Sequence, residues 1–245
     1  MPLSFEHVAK THWVGPYEKP TLVDVSLSLG AGDFVAVWGA QRSGKSTLLR
    51  LAAGLELPDA GRVRFDGADV AAMSGAGRGR LRLEQIGLVQ ADGPQSAEFD
   101  MLDYVALPLL RRCTRSEART RAMAALARVG VAECRDAKWR HLSDGERTLA
   151  SLAHGLVREP RLLLVDDPTA GLDALQQKHV VDLLRETAAE AGVAVLMTSS
   201  VLSATTRAHA AFTLADGRLM PVADPALAPG TVIAFPGGSG DQQTA

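Results

Sequence analysis

The sequence predicts an α/β fold: a mostly parallel sheet covered by helices, with an N-terminal antiparallel β subdomain and an inserted helical subdomain. Three observations predict it. Apolar runs of strand length at 34–38, 162–165 and 193–197 are too continuous for strands with one wet face. Segments of helical period lie between them. At residues 38–48 a strand gives way to a glycine-bearing loop and then to a helix.

The elements follow in order. Residues 3–8 and 21–29 read as short strands around the turn-rich Gly15-Pro16-Tyr17-Glu18-Lys19-Pro20. Within 22–29, LVDVSLSL alternates apolar and polar positions, which predicts a half-buried strand. The run 34–38 is a buried strand, and Leu48, Leu49, Leu51 and Ala52 mark the helix that ends at Gly54. RVRFDG and the following Asp69-Val70 predict an edge hairpin. The glycine- and arginine-rich stretch 74–84 is expected to be a solvated surface loop. IGLVQ predicts a short strand ending at Gln90. From about 98 to 157 the pattern is helical; Thr114-Arg115-Ser116-Glu117 is a capping box, with Met123, Leu126 and Val129 on one face before Gly130. Strands at 162–165 and 193–197 flank a helix capped by Asp173 and running to about Ala191. Two strands, HAAFTLAD and RLMPV, close the domain. The expected division is a domain over 1–222, with the helical insertion at about 91–158, and a tail over 223–245. That tail holds three prolines and four glycines with no helical period, so it is expected to be peripheral or mobile.

Composition excludes several classes. Apolar residues make up 47% and charged residues 22%, an ordinary globular balance. The net charge of −2 gives no global positive field for nucleic acid, and the basic run at 111–121 is simplest as a solvated helix face. The basic residues are 21 arginines and 5 lysines, so each lysine position is informative. Cys113 and Cys134 form no CxxC pair, and both are expected to be half-buried thiols. The start, MPLSFEHVAK, lacks the apolar run of a signal peptide, and no apolar stretch is long enough to span a bilayer.

Gly39-Ala40-Gln41-Arg42-Ser43-Gly44-Lys45-Ser46-Thr47 fits GxxxxGK[ST] in the required strand–loop–helix context, which makes the core a P-loop NTPase core that binds a nucleotide. Gly39 and Gly44 allow backbone N–H groups to turn toward phosphate oxygens. The helix starting near Lys45 aims its N-terminal dipole at the same anion. Lys45 is placed to reach the outer phosphates, and Ser46 to ligate Mg²⁺. The carboxylate that completes such a site ends a buried strand: Asp166 is the candidate Mg²⁺ holder, and Asp167 the candidate for polarising the attacking water.

These residues resemble the ATP-binding cassette (ABC) transporter ATPase family over roughly 3–220. Gln90 lies 45 residues after Lys45, where that family has its Q-loop glutamine, a candidate for catalysis and another candidate metal contact. Leu142-Ser143-Asp144-Gly145-Glu146 is similar to the LSGGQ/E signature, 53 residues beyond Gln90 at Ser143. Asp166 follows 23 residues later, and Ala170-Gly171-Leu172-Asp173 resembles the D-loop. Ser143 and Glu146 also spell a capping box, compatible with presenting a helix N-terminus to phosphate. The resemblance implies two ATP molecules sandwiched between two such domains, homodimeric or heterodimeric. It also implies an integral membrane subunit docked on the helical insertion, at the cytoplasmic face of the membrane. The stretch DYVALPLL at 103–110 is similar to the subgroup of lipoprotein-releasing, macrolide-exporting and cell-division (FtsE-like) ATPases. Trp13, with His12 second, is the candidate adenine-stacking residue.

Three positions depart from the family. Asp167 stands where a glutamate is usual. Ser199 occupies the place of the switch histidine, and Asp144 replaces the first signature glycine. The determinants of binding are intact and those of chemistry are weakened, so the expected function is an ATPase subunit that drives a membrane subunit and hydrolyses slowly. The alternative is an FtsE-like ATP-gated regulator that moves no solute.

Overall fold

The computed structural model describes residues 1–90, 93–94 and 97–222; the tail predicted at 223–245 lies outside the described residues. Sheet one is antiparallel, in the order β2-β1-β4-β5: β1 is Leu3–Val14, β2 Tyr17–Leu29, β4 Ala60–Phe65 and β5 Ala68–Asp69. Sheet two contains β3 (Phe34–Trp38), β6 (Ile86–Val89), β7 (Leu162–Asp166), β8 (Ala194–Ser199), β9 (Ala210–Ala215) and β10 (Arg218–Pro221), in the order β10-β9-β3-β8-β7-β6. Its neighbours are parallel except β9–β10, the closing hairpin.

The continuous apolar runs have a direct cause. Phe34, Ala36, Leu163, Val165, Val195 and Met197 face the core shared with the helical insertion. Their neighbours Val35, Val37, Leu162, Leu164, Ala194 and Leu196 face the core shared with sheet one and helix α1 (Lys45–Ala52). Both faces of the central strands are dry, so period-two alternation disappears from the sequence. In β2, buried Leu22, Val25, Leu27 and Leu29 are separated by more exposed residues, as the LVDVSLSL pattern predicts.

Two expectations need correction. The first hairpin is much longer than 3–8 and 21–29, and its turn contracts to Gly15-Pro16. Register shifts between Phe5 and Thr11 break the alternation that would have revealed it, and His7 and Asp24 adopt φ of 51° and 55° there. The stretch expected to be a solvated loop at 74–84 is helix α2, Gly75–Glu84. Three glycines weaken it intrinsically, each by roughly 1 kcal/mol relative to alanine. Tertiary anchors override that cost. Ser74 Oγ accepts from Gly77 N (3.1 Å), Leu81 is buried in the core, and Arg158 donates to the Leu83 carbonyl at the far end (2.8 Å).

Within the insertion, α3 (Met101–Ala106), α4 (Arg115–Arg128) and α5 (Asp144–Leu156) are joined by short 3-10 turns. Leu126 and Val129 are buried and Met123 half-buried, and the Thr114–Glu117 capping box is formed on both sides. Helix α6 runs Ala174–Ala191 from the Asp173 cap. Cys113 and Cys134 are free and half-buried.

Candidate functional site

The loop between β3 and α1 is shaped by its glycines. A Cβ on Gly39 would sit 2.5 Å from Ser43 Oγ and 2.8 Å from the Leu214 carbonyl. Gly44 has φ 108°, and a Cβ there would meet the Thr21 carbonyl at 2.7 Å. Only glycine fits either place. The loop carries Ala40, Gln41 and Arg42 exposed at its apex, Arg42 with φ 64°. Ser43 Oγ is buried without a hydrogen-bonding partner among the described residues. Lys45, 8% exposed, turns its ammonium back onto the carbonyls of Gly39 (2.6 Å) and Ala40 (2.9 Å). A tight loop of backbone donors, an orphaned hydroxyl and a lysine bound only to carbonyls fits a phosphate chain. Thr47 points away into the fold, 4% exposed, with Arg50 at 3.5 Å.

The first turn of α1 meets the end of β7. Ser46 donates to Asp166 Oδ2 (2.8 Å), and Thr198 at the end of β8 donates to Asp166 Oδ1 (2.7 Å). A serine hydroxyl and a carboxylate in contact are the oxygen donors a small divalent cation takes. Gln90 is exposed just past β6 and lines a cavity of about 170 Å³ together with Asp166, Asp167, Asp144 and Arg147.

Asp167 and Ser199 are both engaged with their surroundings. Asp167 Oδ1 accepts from the Ser200 N–H (3.0 Å). Ser199 is fully buried; its hydroxyl accepts from Val201 N (3.0 Å) and lies 3.1 Å from both Thr169 Oγ1 and the Val201 carbonyl.

Helix α5 begins with a complete capping box. Ser143 Oγ accepts from Glu146 N (3.3 Å), while Glu146 Oε2 accepts from Ser143 N and Oγ (2.8 Å each). Asp173 caps α6 in the same way with Gln176. Ser143, Gly145 and Glu146 open onto a groove with Gln176, whereas Asp144 faces the cavity of Gln90 and Asp167. The signature segment thus presents two faces, and Lys45 lines neither of these two cavities. Arg147 bridges α5 to the preceding turn by donating to the Trp139 and Arg140 carbonyls (3.3 Å each), and pairs with Asp144.

The two aromatic candidates differ. His12 is held between Thr21 Oγ1 and Glu56 Oε2 (3.0 Å each), and Glu56 also pairs with Arg50. Trp13 is 67% exposed near the tip of the first hairpin. Sequence reasoning missed two neighbours. Trp38 Nε1 donates to the Ser200 carbonyl (3.3 Å). Cys134 donates its thiol to Glu146 Oε1 (3.1 Å), which pushes the thiol pKa up and pulls the Glu146 carboxyl below its usual range.

The ABC transporter family model matches residues 22–170. The chain belongs to the ABC transporter family, as an ATP-binding subunit. Relatives agree with this cassette along most of its length. The lipoprotein-releasing system ATP-binding protein LolD of Bordetella pertussis is 37% identical over 89% of this chain and 95% of its own. LolD of Chromohalobacter salexigens is 39% identical over 80% of this chain and 83% of its own. Among solved structures, the dimeric bacterial ABC transporter cassette MJ0796 superposes with a TM-score of 0.82 at 26% identity, covering 89% of this chain and 96% of that one. The same cassette in a post-hydrolysis state with ADP and Pi gives a TM-score of 0.81. In the cassette described here, no helix among the described residues is long and apolar enough to cross a membrane.

Proposed function

We propose that this cassette closes on Mg-ATP as one half of a dimer, drives a separate membrane subunit of the lipoprotein-releasing type from the cytoplasmic face, and hydrolyses slowly. The Ser46–Asp166 contact beneath the carbonyl-bound Lys45 is the observation that carries it. Lys45, the 39–47 backbone and Ser43 take the triphosphate, with Ser46, Asp166 and Gln90 around the cation. Mg²⁺ held by these residues would neutralise charge on the phosphates. Ser143 and Gly145, at a capped helix N-terminus with Glu146 and Asp173 beside them, face the nucleotide of the opposing subunit, while Asp144 borders the nucleotide site from the cavity of Gln90 and Asp167. Trp13, exposed near the tip of the first hairpin, is the residue offered to adenine.

Slow turnover follows from the two engaged groups. Asp167 is short and bonded to a backbone N–H, and Ser199 spends its hydroxyl within the fold. Loss of a positioned base or donor typically costs two to four orders of magnitude. The relatives named LolD and the sequence at 103–110 support the subgroup.

The test is ATP binding and steady-state turnover of the chain with its membrane subunit, using Lys45→Ala as blank. Tight binding with turnover well under the roughly 1–1,000 s⁻¹ of ordinary enzymes supports the proposal. Turnover inside that range refutes slow hydrolysis, and absence of ATP binding refutes the whole reading.

A further inference from the structure

The segment leaving β8 is tied to both halves of the site. Asp167 sits in the left-handed region, φ 46°, which is costly for a residue with a Cβ and is tolerated by aspartate through local hydrogen bonds. Its backbone N–H donates to the Thr198 carbonyl (3.1 Å) and lies 3.2 Å from Thr198 Oγ1, while its side chain accepts from Ser200 N. Residues 199 and 200 then grip the strand that enters the phosphate loop. Gly39 N–H donates to the Ser199 carbonyl (3.1 Å), and the Trp38 indole donates to the Ser200 carbonyl. Ser199 Oγ closes the segment onto Val201 and Thr169. The chain of contacts is continuous: Asp167, Ser200, Trp38, Gly39.

We propose that Asp167 is a positioning residue, which anchors residues 199–200 against the mouth of the phosphate loop instead of taking a proton from water. The short side chain suits this role. Its carboxylate reaches the Ser200 N–H from the adjacent strand end, where a glutamate would carry the oxygens one methylene further. The inference rests on the proposed ATP-binding reading and bears on its slow hydrolysis: Oδ1 of the carboxylate at this position is already held by a backbone N–H, which fixes how the side chain is turned.

Asp167→Asn keeps the Oδ1 acceptor and removes the basicity; Asp167→Ala removes both. Trp38 emission, isolated by difference against Trp38→Phe in nucleotide-free protein, reads the anchor directly. ATP affinity reads its effect on the loop, and turnover reads the chemistry. The expected result is that Asp167→Ala shifts Trp38 emission and weakens ATP binding by about tenfold, as loss of one charged hydrogen bond allows. Asp167→Asn restores both. Two outcomes overturn the proposal: Asp167→Ala leaving Trp38 emission and ATP affinity intact, or Asp167→Asn keeping both yet losing turnover as completely as Lys45→Ala. If the wild-type chain binds no ATP, the proposed function fails, and Trp38 emission still decides whether the anchor exists.

Discussion

Two capping boxes in this chain have nearly the same geometry, so they separate stability from function. At Thr114 the hydroxyl accepts from Glu117 N at 3.3 Å, and Glu117 Oε2 accepts from Thr114 N and Oγ1 at 2.9 and 2.8 Å. At Ser143 the corresponding distances are 3.3, 2.8 and 2.8 Å. Truncating either hydroxyl to alanine removes one helix cap, worth about 1 kcal/mol. For a domain of this size that lowers Tm by about 2–4 °C, and by the same amount in both variants. Only the Ser143 cap lies in the signature segment. If its helix terminus meets a phosphate of the opposing subunit, Ser143→Ala also loses a charge-assisted hydrogen bond and weakens ATP-driven association roughly tenfold or more. Thermal unfolding by circular dichroism gives the first quantity, and sedimentation with and without Mg-ATP gives the second. Equal loss of association in Thr114→Ala and Ser143→Ala, or no loss in either, refutes the assignment of Ser143 to the opposing nucleotide.

Gly44→Ala places a methyl 2.7 Å from the Thr21 carbonyl at φ 108°, and is expected to lower ATP affinity at least about tenfold in a nucleotide titration. Leu81→Ala, in the helix that sequence reading misses, is expected to cost about 2 kcal/mol, a Tm fall of about 4–8 °C; a change near zero would mean α2 is not anchored. His154 is buried against Tyr104 (ring centroids 4.4 Å) and donates to its carbonyl, and burial first, then Arg158, hold its pKa below the ordinary 6.5. The unfolded chain therefore binds the proton that the folded chain refuses, so stability is present above pH 6.5 and declines as pH falls below it. Between pH 7.5 and 5.5 the Tm of His154→Gln should fall less than that of the wild type, and parallel falls would exclude this linkage.

The difference between what the sequence displays and what it conceals follows from the range of the constraint. The loop at 39–47 is legible because its pattern is local: two glycines, a lysine and a serine fall within nine residues between a strand and a helix. The strands of sheet two and the Asp173–Ala191 helix are legible for the same reason, each being bounded by its own cap, glycine or dry face. Helix α2 is concealed because its support comes from Leu81 packing and from Arg158, 75 residues away, while its own glycines argue against it. The first hairpin is concealed by register shifts that scramble the alternation while preserving the pairing.

The site divides along the same line. Alignment of motifs assigns Asp167 and Ser199 their places, and it is silent on their partners. Those partners come from main-chain atoms of Ser200 and Val201, which any sequence would supply, and from Thr169. A motif therefore identifies which oxygen stands near the nucleotide. Whether that oxygen is available for chemistry depends on the backbone groups already pointed at it. In this cassette Ser43 Oγ is buried without a partner among the described residues, while the hydroxyl of Ser199 is used within the fold, and the proposed slow hydrolysis turns on that difference.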